Sequence, residues 1–201
     1  MLQFIVKSDN PEEIISQTRE ALEGGCRWIE LKTTKAISDE ELTEVINKLM
    51  PVVKEKEGTL TLASRVTLAK QTGVDGVQLY LDDMPPTAAR MELEAGPIIG
   101  MSVRDLDTVE RNLHFDIDYF RYEPLFEEDG ENLKTLLEIA RLLKEKKSDK
   151  PLAAAGGLTS ENVEVALEYG AEGVAIDASY AEEGESVKNA VASLIELLGK
   201  S

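Results

Sequence analysis

Short hydrophobic runs recur at regular intervals along the chain, separated by longer segments with a different hydrophobic period. In the longer segments apolar residues repeat every three or four positions, which is typical of one helix face; the clearest example is Leu133, Leu136, Leu137, Ala140 and Leu143. The short runs have the length and composition of buried strands. Eight of them occur, at Leu2–Val6, Trp28–Leu31, Thr59–Ala63, Gly76–Leu79, Ile98–Met101, Ile117–Phe120, Leu152–Ala155 and Val174–Ile176. The pattern predicts alternating strands and helices.

Capping signals mark where several of these helices begin and end. Asn10-Pro11 places a capping side chain before a first-turn proline, and Ser38-Asp39-Glu40-Glu41 fits a capping box. Three helical segments end at glycines shortly before a strand, near Gly24, Gly73 and Gly170. The boundaries therefore support the same alternation.

One βα unit repeated eight times, with no linker and no second zone of composition, predicts a closed parallel barrel rather than an open doubly wound sheet. We expect an α/β fold, a single (β/α)8 TIM barrel spanning residues 1–201 as one domain. The loops after the strand carboxyl ends carry function in such barrels. The search for a site therefore narrows to eight short stretches.

Composition and charge limit the partners. Hydrophobic residues make up 42% of the chain, and 39 acidic against 22 basic residues give a net charge of −17, which repels nucleic acid and anionic membrane surfaces. No apolar run is long enough to span a bilayer, and the chain opens directly on a strand, so we expect a cytoplasmic protein without membrane or nucleic-acid partners. The single cysteine, Cys26, excludes an intrachain disulfide and a paired-thiolate metal site, and is expected to pack in the core.

Charged residues follow several predicted strands, and each admits two interpretations. Glu30 and Lys32 should share one face, where they either orient an anion or form a self-satisfied ion pair; we favour the pair. Arg65 and Arg104 are suited to bind phosphate, or equally to pair with acids at the surface. Asp82-Asp83 could hold Mg²⁺, but capping of the helix containing Pro85 and Pro86 is favoured.

The last two strand ends carry the best signal for an anion site. Gly156-Gly157 with Thr159 and Ser160 as plausible caps, and Ala178-Ser179 after the eighth strand, could hold phosphate on backbone N–H groups; the alternative is a plain turn. Asp177 weakens that signal because its carboxylate repels phosphate. The loop 126–130 is acidic and would repel a phosphorylated ligand that it covered. His114 precedes the sixth strand, so we expect it to have a structural or surface role.

The chain resembles the thiamine phosphate synthase family over nearly its whole length. The resemblance is carried by Gly24–Leu31, Arg65–Leu79, Asp83-Met84-Pro85, Ile98–Gly100 and Ala155–Thr159, in matching order and spacing. It implies a barrel enzyme that joins hydroxymethylpyrimidine diphosphate to thiazole phosphate with Mg²⁺ and releases diphosphate.

The resemblance also implies roles for individual residues. The diphosphate would contact Lys32, Arg65 and Ser102, and Asp83 would bind the metal. The thiazole phosphate would lie against Gly156, Gly157, Ala178 and Ser179. No catalytic residue is assigned.

Other positions depart from the family pattern. Glu30, Lys32 and Thr34 replace Gln-Leu-Arg-x-Lys, and Ala63-Ser64 replace an Asn-Asp pair whose aspartate binds the metal. Gln78-Leu79-Tyr80 replace the family's His-Leu-Gly, and Asp177 replaces a serine. Glu127-Glu128 replace part of a threonine-rich loop that contains a lysine. The related thiazole tautomerase branch needs a histidine that His114 does not supply.

Three hypotheses follow from these comparisons. The first is a synthase-like transferase, impaired or inactive because metal and diphosphate residues are replaced, with Mg²⁺ as cofactor if active and otherwise none. The second is a non-catalytic paralogue or engineered scaffold that binds a small phosphorylated molecule or acts through protein contacts; a homo-oligomer stays open. The third is a sugar-phosphate isomerase or epimerase with Asp177 or Glu30 as base.

Overall fold

The computed structural model describes residues 1–126 and 132–199. Eight parallel strands pair in chain order, and β1 also pairs with β8, which closes the barrel. The predicted α/β class and (β/α)8 barrel are thereby confirmed. The strands are β1 (Leu2–Lys7), β2 (Trp28–Lys32), β3 (Thr59–Ala63), β4 (Gly76–Leu79), β5 (Ile98–Val103), β6 (Tyr119–Tyr122), β7 (Leu152–Ala155) and β8 (Gly173–Asp177).

The helices lie between the strands, outside the barrel. They are α1 (Pro11–Glu23), α2 (Asp39–Glu55), α3 (Val66–Thr72), α4 (Pro86–Leu93), α5 (Leu106–Asn112), α6 (Asn132–Glu145), α7 (Val163–Glu168) and α8 (Val187–Leu198), with a 3₁₀ turn at Ala178–Tyr180 after β8. In the described ranges, no helix combines the length and apolar character needed to cross a membrane.

The position of β6 differs from the prediction. The strand covers Tyr119–Tyr122 rather than Ile117–Phe120. Asp118 lies just outside it, where its carboxylate accepts a hydrogen bond from Ile99 N at 2.7 Å. The predicted strand, a hydrophobic run, stopped before Arg121, whereas the observed strand includes this charged residue because its side chain lies in a polar lumen.

Two helix starts follow the prediction. The Asn10 side chain accepts from the backbone N–H groups of Glu12 and Glu13, at 2.9 and 3.2 Å. Ser38 and Glu41 form the reciprocal capping box. These local signals were readable because both partners lie within one turn of chain.

Two other predicted caps are wrong. Pro85 precedes α4 and no side chain caps that helix, because the Asp83 carboxylate accepts instead from Tyr80 N at 2.7 Å and closes the turn after β4. The α7 helix starts only at Val163, so Thr159 and Ser160 do not cap it.

Side chains alternate between two environments along every strand. The outward residues are apolar and pack against the helices in one large core that includes Phe4, Val6, Ile29, Leu31, Leu60, Leu62, Val77 and Phe120. The inward residues are largely polar and yet buried, among them Gln3, Glu30, Thr61, Gln78, Ser102 and Arg121. Apolar burial between strands and helices therefore stabilises the barrel, while its lumen depends on polar pairing.

Gly100 shows how tightly the lumen is filled. A Cβ atom at this position would lie 2.3 Å from Tyr119 Cζ and 2.4 Å from Gln78 Oε1. The Tyr119 ring also meets Trp28 edge to face, with 5.3 Å between ring centroids. The residue on β5 must therefore be a glycine for the tyrosine to occupy the lumen.

Candidate functional site

A cavity of about 600 Å³ opens at the carboxyl ends of the strands. Its lining comes mainly from the last inward-facing residue of each strand and from the loop that follows. The lining residues are Ile5, Lys7, Lys32, Tyr80, Leu81, Asp82, Ser102, Arg104, Glu123, Pro124, Ala155, Gly156, Ala175 and Asp177. This is the end of the barrel where function was expected.

The floor of the cavity is a buried ion pair between Arg121 on β6 and Glu30 on β2. Both side chains are 0% exposed. The Arg121 guanidinium donates to both Glu30 oxygens, one of them at 3.2 Å, and to the Glu123 carboxylate at 3.1 and 3.3 Å. It also donates to the Tyr80 hydroxyl at 2.7 Å and to Gln3 Oε1 at 3.3 Å. All three guanidinium nitrogens are therefore engaged.

Tyr80, Ser102 and Gln78, which surround this pair, form further hydrogen bonds, whereas Gln3 Nε2 is buried without a partner in residues 1–126 and 132–199. The Tyr80 hydroxyl donates to Glu30 at 3.0 Å. Ser102 donates to Glu123 and accepts from Gln78 Nε2 at 2.9 Å. The network joins residues of five strands, β1, β2, β4, β5 and β6, through direct hydrogen bonds.

Electrostatics fix the ionisation of the network. Burial raises the pKa of Glu123, but Arg121, Ser102 and Lys32 together outweigh burial and leave that pKa below its usual value. Burial, with Glu30 second, raises the pKa of the Tyr80 hydroxyl far above its ordinary range. At neutral pH the network therefore holds a cationic arginine, an ionised Glu123 and a neutral tyrosine.

Lys32 lies just above this floor. Its ammonium is 4.1 Å from the centroid of the Tyr80 ring, a cation–π contact. The favoured interpretation, an ion pair between Lys32 and Glu30, is wrong because Arg121 takes that carboxylate. Burial lowers the pKa of Lys32, although Glu123 and Glu30 oppose the shift.

Two strands away from β2 around the barrel, the predicted anion site at the end of β8 contains a carboxylate of the chain itself. Asp177 bonds Lys7 Nζ at 2.5 Å and accepts from Ser179 N at 2.8 Å and Ser179 Oγ at 2.5 Å. Burial raises the pKa of Asp177, but the bonds from Lys7 and Ser179 bring it below its usual value. Ala178 begins the 3₁₀ turn beside it.

The two glycines after β7 have a packing role. Gly156 and Gly157 adopt φ of +92° and +65°, and a Cβ atom on either would lie 2.9 Å from the backbone of Pro124 or Phe126 respectively. They let the chain after β6 approach, where Leu125 N donates to Ala155 O at 2.9 Å. Phosphate binding by these glycines stays a prediction.

Arg65 and Asp83 lie apart from the main cavity. They line a second cavity of about 620 Å³ between the loops after β2, β3 and β4. Arg65 binds the Asp39 carboxylate and the carbonyl oxygens of Thr34 and Ile37, the latter at 3.1 Å. The predicted diphosphate residues are therefore divided between two cavities, with Lys32 and Ser102 in the first.

The residues present do not form a metal site of their own. Among the residues the structure describes, no group of three or more His, Cys, Asp or Glu side chains could hold a metal ion. Asp83 is committed to Tyr80 N, and Ser64 stands beside it in the second cavity. The Mg²⁺ requirement stays a prediction.

Sequence reasoning missed the central residue of the site. Arg121 and Glu123 were not among the predicted site residues because the sixth strand was predicted to end at Phe120, and Tyr80, after β4, was named only as a departure from the family pattern. Tyr119, Arg121 and Glu123 occupy every second position, so the alternation of a strand places all three side chains on the same face as the lumen. This alternation was the signal that could have identified them.

The remaining predicted positions are placed as follows. Arg104 is exposed at the rim of the main cavity, and Asp82 is exposed on the same rim. His114 precedes β6 and is exposed, with its ring 5.7 Å from that of Phe115. Residues 127–130 of the acidic loop lie outside the described residues.

Comparison with known proteins points to one family. The family model described as thiamine monophosphate synthase matches residues 2–179. The thiamine-phosphate synthase of Bacteroides thetaiotaomicron is 36% identical over 182 residues, covering 87% of each chain, and that of Bacteroides fragilis is 35% identical over 182 residues, covering 87% of this chain and 89% of its own. The solved thiamine phosphate pyrophosphorylase of Pyrococcus furiosus superposes with a TM-score of 0.85 at 26% identity, covering 98% of this chain and 95% of its own.

Proposed function

Because the chain belongs to the thiamine monophosphate synthase family, we propose that it is a thiamine-phosphate-synthase-like transferase in which the coupling reaction is impaired or absent. The reaction in question joins hydroxymethylpyrimidine diphosphate to thiazole phosphate and releases diphosphate. Membership of the family does not depend on how active the chain is, so only the level of activity is proposed.

The observation that carries the proposal is internal charge pairing at the mouth of the barrel. Arg121 is bound by Glu30 and Glu123, Lys7 by Asp177, and Arg65 by Asp39. A diphosphate needs such cations free, because preorganised charges that meet the departing anion supply much of the rate acceleration. Each internal pair would have to break first, or its carboxylate would repel the substrate.

The lumen beneath the cavity offers no further room. Arg121 and Glu30 are fully buried below Lys32 and Tyr80, and the network has no opening that a substrate ring could enter without displacing them. Breaking a buried pair costs about 3–5 kcal/mol, which would be subtracted from the binding energy of any ligand that did so.

A second candidate function is binding of a small phosphorylated molecule without turnover. Lys32 and Arg104 line the main cavity, and neither has a carboxylate within 4 Å among the described residues. Two free cations suit one phosphomonoester better than a diphosphate. The isomerase or epimerase hypothesis receives no such support, because Asp177 and Glu30 are both held in ion pairs.

The test is a diphosphate-release assay with both substrates and Mg²⁺, run beside the Bacteroides thetaiotaomicron synthase as the active reference. We expect turnover at least a hundredfold below the reference. Asp177→Ser provides the matched variant, because it removes the carboxylate that holds Lys7 and Ser179. Calorimetry with thiazole phosphate alone separates binding from turnover, and turnover within tenfold of the reference would refute the proposal.

A further inference from the structure

We propose that Lys32 is a nucleophilic amine that forms an imine with small anionic aldehydes or ketones in the main cavity, with Arg104 binding the anionic group. This activity goes beyond the proposed function and does not depend on whether the coupling reaction survives. It uses neither diphosphate nor Mg²⁺.

The position of Lys32 is the first argument. The residue ends β2, and its side chain opens into the 600 Å³ cavity rather than into bulk solvent. Its ammonium rests on the face of Tyr80, and no carboxylate of the described residues lies within 4 Å of it. Because no carboxylate pairs with it, Lys32 lacks the contact that would hold it most strongly as an ammonium; the face of Tyr80 favours that form more weakly.

The neighbouring charges act in the same direction. Burial lowers the pKa of Lys32; Glu123 and Glu30 oppose this shift, and Arg121, which bonds both carboxylates, offsets part of their charge. Arg121 and Lys7 add positive charge nearby, which further disfavours the ammonium form. The neutral amine, the nucleophile in carbonyl chemistry, is therefore more populated than on an exposed lysine.

The cavity also indicates the class of substrate. Arg104 is exposed at its rim and, within the described part of the chain, has no acidic partner, so its guanidinium can bind a carboxylate or a phosphate. The other wall presents the apolar side chains of Ile5, Ala155 and Ala175. A small oxo acid or a phosphorylated aldehyde or ketone combines these features.

The chemistry balances with residues of this cavity. The neutral Lys32 nitrogen attacks the carbonyl carbon, the N–C bond forms, and the electron pair of the C=O π bond moves to oxygen. Glu123, which lines the same cavity as a carboxylate, passes one proton from nitrogen to the alkoxide oxygen and so forms the hydroxyl group of a carbinolamine. A second proton, taken from water, protonates that hydroxyl group; the C–O bond breaks as the nitrogen lone pair forms the C=N bond, and water leaves. The N–H proton of the resulting iminium returns to water and gives the imine. Amine and carbonyl compound thus give imine and one water, with no oxidant or reductant consumed.

Reductive trapping tests the proposal. The folded protein is incubated with pyruvate and cyanoborohydride, and labelled lysines are quantified by peptide mass mapping. We expect Lys32 to be labelled at least tenfold faster than Lys48, an exposed lysine on α2. Lys32→Arg, which keeps a cation over Tyr80, should abolish the label, and Lys48→Arg should leave labelling of Lys32 unchanged.

A neutral probe separates the two residues. Replacing pyruvate by acetone removes the group that Arg104 would bind. Arg104→Gln should therefore slow trapping of pyruvate at Lys32 several-fold and leave trapping of acetone unaltered. Equal labelling of Lys32 and Lys48 in the folded protein, or labelling of Lys32 that persists equally in urea, overturns the proposal.

Discussion

Replacing Arg121 by methionine should destabilise the protein strongly, because it leaves charges buried without a partner. Arg121 donates to both oxygens of Glu30, and both side chains are fully buried. In the variant, the Glu30 carboxylate keeps the hydroxyl of Tyr80 at 3.0 Å but loses its cation. Removing one partner of a buried pair costs about 3–5 kcal/mol. With a urea dependence of about 2 kcal/mol per molar, the unfolding midpoint should fall by about 2 M.

The cause can be isolated by a second substitution. Glu30→Gln in the Arg121→Met background replaces the unpaired carboxylate by a neutral amide of the same shape, and should recover at least about 1 kcal/mol of the free energy of unfolding. The deficit of Arg121→Met should also shrink from pH 8 to pH 5, since a buried carboxyl without a cation takes up a proton readily. Urea unfolding followed by circular dichroism measures both effects. Additive single and double losses, with no pH dependence, would refute the reasoning.

Three other predictions concern different parts of the barrel. Asp177→Asn should lose less stability in acid than the parent protein. Lys7 and Ser179 hold the pKa of Asp177 below 3.8, against the opposing effect of burial. The ionised Asp177 carboxylate therefore stabilises the fold above pH 3.8, and this stabilisation disappears as the pH falls through the lowered pKa of the folded protein. Acid titration of unfolding checks this. Gly100→Ala should cost about 1–3 kcal/mol in thermal melts, because its Cβ would lie 2.3 Å from Tyr119; an unchanged melting temperature contradicts it. Arg65→Ala should lose about 1–2 kcal/mol and raise hydrogen exchange in the loop 33–38, which its guanidinium ties down; unaltered exchange there contradicts the role.

The fold could be predicted from the sequence because its determinants are local. The outward faces of the strands are apolar and pack in one core, so short hydrophobic runs marked nearly all of them. Capping at Asn10 and Ser38 involves partners two or three residues away. Where the prediction failed, a local alternative was available: the Asp83 carboxylate bonds Tyr80 N, three residues back, rather than the helix ahead.

The site was harder to predict because its partners are distant in sequence. Glu30 and Arg121 are 91 residues apart, and nothing in either segment identifies the other as its counter-ion. Lys32 lies two residues from Glu30 and was the natural partner from proximity alone. Only closure of the barrel decides the pairing, because it brings β6 opposite β2 across the lumen.

The polar lumen has a consequence for how the barrel assembles. The groups that bond Arg121 come from β1, from β2 and from the residues just after β4 and β6, so a fragment ending before β6 would carry Glu30 without its cation. A partly built barrel would have to leave those charges in water and could not close its interior. Half-barrels are thus penalised relative to the complete ring, and the lumen makes folding cooperative across the two halves of the chain.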